Sequence, residues 1–158
     1  MKLKYIIPIS LCILIILCTC ALPLPTYINT ELTGVGYTEN GDEGTAVVVT
    51  IQGWQLNYLF FKDQMNLRVE IKPTTTDITI QAASTLISNE ILDHPYLALS
   101  AYSHSKNSHV FGNMAVNAGL SSCLISGDIA EQLGYAYIGA GIQEGTLSRY
   151  LTDFPELD

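Results

Sequence analysis

The stretch Leu67-Arg68-Val69-Glu70-Ile71-Lys72 decides the fold of this chain. Its apolar and charged side chains alternate strictly, and in a β-strand successive side chains point to opposite faces. One face of the segment therefore belongs in a core and the other in water. The alternation predicts a half-buried strand.

Strand patterns continue on both sides of this stretch. β-Branched residues fill 45–52, and alternation returns at 77–81 before a short helical turn predicted at 84–92. Two further extended stretches, 96–102 and 109–117, are joined by a polar segment in the manner of a hairpin. The connections are too short for helical crossovers, so the strands are predicted to pair antiparallel.

The last third of the chain mixes short elements. Strands are predicted at 120–125 and 134–141, with a helical turn that starts near Asp128 between them. Apolar residues recur at helical spacing in 144–154, and Pro155 ends that helix. The predicted fold class is mainly β, a β-rich α+β arrangement: an antiparallel sheet, sandwich or barrel-like, with a short C-terminal helix.

Composition limits what the chain can be. It has 158 residues, 48% of them hydrophobic, and 15 acidic against 7 basic side chains give a net charge of -8. This length and apolar share fit one globular domain and exclude both a polytopic membrane protein and a fully disordered chain. The acidic balance argues against nucleic acid as a partner.

The N-terminus reads as an export signal. Lys2 and Lys4 precede an apolar run over 5–22, a basic n-region followed by an h-region. A buried core helix would show an amphipathic stripe, whereas this run is apolar on every face. Because basic flanks resist translocation, the rest of the chain is predicted to be extracytoplasmic.

Three alternatives remain open for the end of the run. Leu17-Cys18-Thr19-Cys20 resembles the bacterial lipobox, which implies lipid attachment at Cys20 and a cell-membrane location on the extracytoplasmic face. Cleavage at an ordinary signal-peptidase site using Thr19 and Ala21 would instead give a secreted protein. An uncleaved run is close to the lower length limit of a membrane-spanning anchor.

The domain organisation follows from these features. Residues 1–21 form the signal or anchor, and 22–32, with Pro23 and Pro25, are expected to be an extended tether. Residues 33–158 form the β-rich domain. Its one cysteine, Cys123, has no disulfide partner there and is expected to be a small buried hydrophobe.

No motif predicts a catalytic, metal or cofactor site. His104 and His109 flank a polar loop and could face each other across a hairpin, but the sequence nominates no third ligand. Hydrolysis would require His94 or another histidine beside a serine and a carboxylate, and the chain has no Gly-x-Ser-x-Gly elbow. The acidic residues of 39–43 depart from the calcium-loop pattern and are expected to form a solvated loop.

Aromatic residues gather between the second and third predicted strands. Trp54, Tyr58, Phe60 and Phe61 fall in one short stretch, where Trp54, Leu56, Tyr58 and Phe60 share a face at period two. They could stack on a sugar or a peptide if they faced outward. A position in the core of the sheet is the favoured interpretation.

The chain resembles small exported lipoproteins of Gram-positive bacteria that have no assigned activity. The resemblance rests on Leu17–Cys20 and on the stretch Gly53–Ile71, whose Trp54, Tyr58, Leu59, Phe60 and Asp63 precede the alternating strand. It implies lipid attachment at Cys20 and no catalytic residues.

The sequence thus favours a membrane-tethered extracytoplasmic domain with a binding or structural role over an enzyme. Its partners would be the membrane, through the lipid or anchor, and an extracellular protein or glycan. The alternative is a small secreted hydrolase that uses serine, histidine and carboxylate groups.

Overall fold

The structure is a computed structural model. It describes residues 8–15, 22–57, 64–88, 95–103, 107–117, 119–142 and 146–157.

Eight strands form a closed antiparallel barrel in which each strand pairs with its neighbours along the chain. The last strand pairs back onto the first and closes the sheet. The strands are β1 (Leu24–Tyr37), β2 (Glu43–Asn57), β3 (Gln64–Pro73), β4 (Ile80–Ser88), β5 (Tyr96–Ser103), β6 (Ser108–Val116), β7 (Cys123–Ser126) and β8 (Tyr137–Ala140). The predicted mainly β, antiparallel fold with a short C-terminal helix is confirmed, and the sheet is a barrel.

Helices are short and few among these residues. Residues 8–15 belong to α1, α2 is Asp128–Glu131, α3 is Leu147–Asp153, and a 3-10 helix covers Pro155–Leu157. Within the described ranges, none of the helices has the length and apolar character needed to cross a membrane.

Alternation in β2 and β3 builds the barrel interior. Leu67, Val69 and Ile71 are buried, while Arg68 and Lys72 between and beyond them are exposed. The register places Val69 opposite Ile51 and Ile71 opposite Val49. None of these four side chains is more than 1% exposed. The alternating stretch Leu67–Lys72 thus supplies the centre of the core, as predicted.

The barrel has two distinct ends. At the end nearest the N-terminal segment for which a tether is expected, here called the tether end, β1 begins at Leu24 opposite Asn57, the last residue of β2. At the distal end, β1 finishes at Tyr37 opposite Glu43. Helix α2 follows β7 at the distal end, and its Ile129 and Ala130 join the interior cluster. The distal end is therefore closed by packed side chains.

A second apolar cluster lies on the outside of the barrel. Helix α3 and the 3-10 helix lay their apolar side chains over the outer faces of β1, β6 and β7. The cluster consists of Tyr37, Ala115, Leu124, Leu147, Tyr150, Phe154 and Leu157. These strands are consequently buried on both faces where the C-terminal helix covers them.

Glycines permit the barrel to close. A Cβ on Gly34 would lie 2.0 Å from the carbonyl oxygen of Gly139 in β8, and a Cβ on Gly139 would lie 2.5 Å from the ring of Tyr150. Real Cβ atoms do not approach so closely, so both contacts require the missing side chain. Gly139-Ala140-Gly141 is thus part of the closing seam.

Several expected boundaries differ from the structure. The barrel starts at Leu24, and residues Ile28 and Leu32, expected in the tether, are buried in it. Of the two prolines that suggest a tether, Pro23 precedes β1 and Pro25 is its second residue, near a strand end that tolerates proline. The helical turn expected at 84–92 is replaced over 84–88 by β4.

The last third also departs in detail from expectation. β7 and β8 are shorter than the predicted strands 120–125 and 134–141. The helical turn predicted to start near Asp128 is α2, whose N-cap is Gly127 and which no side chain caps. The backbone of Asp128 is already helical, which leaves the cap position to the preceding residue.

Replacement of Val69 with Asp should unfold the domain or lower its denaturation midpoint strongly. The change buries an unpaired carboxylate in the barrel interior and removes several of the roughly 5–15 kcal/mol that stabilise a typical domain. Urea denaturation of the purified variants measures the effect. Asn66→Asp, which places the same group on the exposed face of β3, is the control and should melt like wild type; equal midpoints for the two variants would contradict the register.

Candidate functional site

An open groove of about 850 Å³ lies at the distal end of the barrel. One wall is the β1–β2 turn, and the other is the connection from β7 through α2 to β8. The lining residues are Thr38, Glu39, Asn40, Ser126, Gly127, Glu131, Gly134, Tyr135, Ala136, Tyr137 and Leu157. Ligand sites of small molecules typically occupy 300–1,000 Å³, so the groove has the size of a binding site.

The first wall is a tight turn stabilised by its own hydrogen bonds. The backbone N–H of Gly41 donates to the carbonyl oxygen of Thr38 at 3.0 Å, and that of Asp42 donates to Thr38 Oγ1 at 3.2 Å. Gly41 has a φ of 83°, in the left-handed region that favours glycine. The turn presents Glu39 and Asn40 to solvent, in agreement with the solvated acidic loop that the sequence predicts.

The second wall is fixed by Tyr135. Cβ atoms on Gly36 and Gly44 would lie 2.5 and 2.7 Å from its ring, so these two glycines form a seat for the aromatic side chain. The backbone around the ring is also held, because Ala136 N–H donates to the carbonyl oxygen of Tyr37 at 2.8 Å. Tyr135 therefore gives the groove a preformed wall.

The groove favours positively charged ligands. Glu39 and Glu131 are exposed on opposite walls, and the described lining contains no basic side chain. Tyr135 and Tyr137 add hydroxyl groups and aromatic faces, which attract cations through the ring quadrupole. Amine and guanidinium groups match this combination of carboxylates and tyrosines.

His109 packs against an aromatic ring on the surface of the barrel. It lies on the exposed face of β6, and its ring meets the ring of Tyr102 edge-on with centroids 5.5 Å apart. The register pairs His109 with Tyr102 and Ser108 with Ser103, so the strand partner of His109 is a tyrosine. His94 and His104 lie outside the described residues. In the part of the chain that the structure covers, no group of three or more His, Cys, Asp or Glu residues could hold a metal ion.

Cys123 faces the barrel interior and is fully buried. Burial raises the pKa of its thiol to about 12, so the reactive thiolate is not formed at neutral pH. The neighbouring Ser121 is engaged in a turn, where Asn117 Nδ2 donates to its hydroxyl oxygen at 2.8 Å. The position of Cys123 agrees with its interpretation as a small buried hydrophobe.

Trp54 is not in the core, contrary to the favoured interpretation of the sequence. It is 52% exposed and forms an edge-on pair with Tyr27, which is 54% exposed, at a centroid distance of 5.1 Å. Val47, Val49 and Ile51 occupy the inner positions of β2, so alternation turns Trp54 outward. Tyr58, Phe60 and Phe61 lie outside the described residues.

Stability should fall as the pH rises from about 9 to about 12. The thiol of Cys123 has an ordinary pKa of 9.0, which the unfolded chain regains, and a folded pKa of about 12. The unfolded state therefore loses its proton first, and the stabilisation that is complete below pH 9 disappears progressively above it. Urea midpoints across this pH range measure the loss.

Cys123→Ala should reduce this alkaline slope. The remainder comes from Tyr37, whose pKa burial raises to about 12, and from Tyr150, whose pKa burial also raises. An unchanged slope in the variant would contradict the assignment. Comparison of both proteins at neutral pH separates the titration effect from the loss of packing around the removed sulfur.

Comparison of the chain with protein-family models, with curated proteins and with solved structures finds no match in any of the three.

Proposed function

We propose that this chain is a membrane-tethered extracytoplasmic binding domain whose distal groove takes a ligand that bears an amine or guanidinium group. The observation that carries the proposal is the groove itself, which places two carboxylates and two tyrosines around one cavity. A free small molecule and a basic side chain of an extracellular protein both offer the required cation.

The shape of the protein supports a binding role. The barrel interior is packed mainly with apolar side chains, and the polar residues Ser84 and Ser103 are buried. The groove lies outside that core. One wall is held by the packing of Tyr135 against Gly36 and Gly44, and the other by the hydrogen bonds of the turn at Thr38. A site on such a preformed frame loses little conformational entropy when a ligand binds.

The N-terminal sequence supports the location. A basic start, an apolar run and the lipobox-like Leu17–Cys20 indicate export followed by lipid attachment at Cys20. Only Ala21, Leu22 and Pro23 separate Cys20 from the first residue of β1. The tether is therefore shorter than the sequence suggested, and the groove lies at the end of the barrel remote from it.

Wild-type protein should be labelled by a fatty-acid probe in growing cells, and Cys20→Ala should abolish the label. The reason is that the lipobox-like cysteine is the proposed attachment site. Cys18→Ala is the matched control, because it removes a thiol two residues away and should keep the label. Labelling that persists in Cys20→Ala, or wild type that is never labelled, would contradict lipid attachment.

The groove should bind spermidine, a small polyamine, and Glu131→Gln should weaken that binding about two- to fivefold. This range corresponds to about 0.4–1 kcal/mol, the upper part of the roughly 0.2–1 kcal/mol that an exposed ion pair typically contributes. Isothermal titration at low salt measures the affinity. Glu31→Gln removes the same charge from an exposed position on β1 and should bind like wild type; equal weakening in both variants would show general charge attraction instead of a site.

A further inference from the structure

The outer wall of β1 and β2 carries an apolar surface at the tether end. The register pairs Tyr27 with Trp54 and Pro25 with Leu56, and these four side chains point away from the barrel interior. We call them the aromatic patch. Trp54 and Tyr27 are each more than half exposed, so the patch leaves large rings in contact with solvent.

Charge distinguishes the tether end of the first three strands from the distal connections. No residue in 22–30, 52–57 or 64–67, which form the tether end of the first three strands, is charged. Acidic side chains instead collect in or beside the distal connections: Glu39, Asp42, Glu43, Asp77, Asp128 and Glu131. An anionic lipid surface would therefore repel the distal connections, whereas the tether-end segments of β1, β2 and β3 that carry the aromatic patch have no acidic side chain to oppose contact.

The tether holds the aromatic patch close to its own attachment point. Cys20 is four residues before Leu24, and a chain of that length reaches at most about 14 Å. Leu22 and Leu24 are themselves strongly exposed, at 64% each. With lipid on Cys20, the start of β1 cannot leave the neighbourhood of the lipid headgroups.

We propose that the aromatic patch rests in the headgroup layer of the bilayer, so that the barrel stands on its tether end with the groove facing outward. Trp and Tyr are enriched at this depth because each ring has an apolar body and a polar tip. The inference rests on the proposed membrane tether and adds a second contact to it. Four side chains are far fewer than the 20–30 residues per partner of a specific protein interface, which favours lipid over a second copy.

Trp54 makes the proposal measurable, since it is the one tryptophan of the chain. The lipidated full-length protein is incorporated into vesicles of phosphatidylcholine and phosphatidylglycerol, with and without bromine atoms near the headgroup end of the acyl chains. Bromine quenches tryptophan emission only at close range. We expect quenching of Trp54 by brominated lipid, an emission shift to shorter wavelength and protection from aqueous iodide.

A matched control moves the reporter to another exposed position. In the double variant Trp54→Phe, Phe111→Trp the tryptophan replaces Phe111, which is 61% exposed on the outer face of β6 and whose strand partner is Ser100. We expect this tryptophan to stay accessible to iodide and unquenched by brominated lipid. Equal quenching at both positions would show general immersion and overturn the proposed orientation.

Flotation of the vesicles tests the membrane tether separately from the docking of the aromatic patch. Protein that floats with the vesicles while Trp54 remains unquenched and open to iodide would overturn the docking and leave the tether standing. Protein that does not float would overturn the tether, and the docking with it. Protection of Trp54 that follows the protein-to-lipid ratio and is independent of bromine would assign the patch to contact between copies and overturn the lipid assignment.

Discussion

Everything in this fold depends on a short seam between the first and last strands. β8 pairs with β1 only over Gly34–Tyr37, and the two backbones meet there at a distance that no Cβ would allow. The first seven strand pairings form an antiparallel meander, and pairing of β8 with β1 closes that meander into a barrel. The interior is therefore not open to solvent between the first and last strands. It also places Gly139 under the ring of Tyr150, so the same contact fixes helix α3 on the outside. The position of the distal groove, between the start of β8 and the end of β1, follows directly from it.

The strands could be predicted from the sequence, but the way they close could not. Alternation in Leu67–Lys72 has period two and one buried face, a local signal that needs no partner. Pairing of Gly34 with Ala140 joins residues at opposite ends of the domain, and no local pattern reports it. The local sequence indicates a turn at Gly139, but a glycine is required there because a side chain would clash with the ring of Tyr150. The same holds for Trp54. The sequence correctly predicts the two-residue period of its strand, but whether Trp54 faces inward or outward depends on which residues of β2 fill the interior.

The candidate site was missed for a related reason. Its walls come from two connections far apart in the sequence, and neither contains a motif. The sequence correctly predicts that Glu39 and Asn40 lie in a solvated loop. It does not indicate that Glu131 and Tyr135 form the opposite wall of the groove. The local signal for the site is the pair Gly36 and Gly44 on either side of the β1–β2 turn. The missing side chains of these two glycines leave room for the ring of Tyr135. Glycines that face each other in neighbouring strands often mark such a close approach.

Closure between the two ends of the chain has a consequence for folding. Synthesis of the chain produces β1 first, and its closing partner β8 is the last strand to be made. Contacts between residues so distant in sequence form slowly, because the intervening chain must first lose much of its freedom. Until then β1 and β2, the two longest strands, can pair only with each other and with β3. The strand order therefore leaves β1 without its closing partner until nearly all of the barrel sequence is in place.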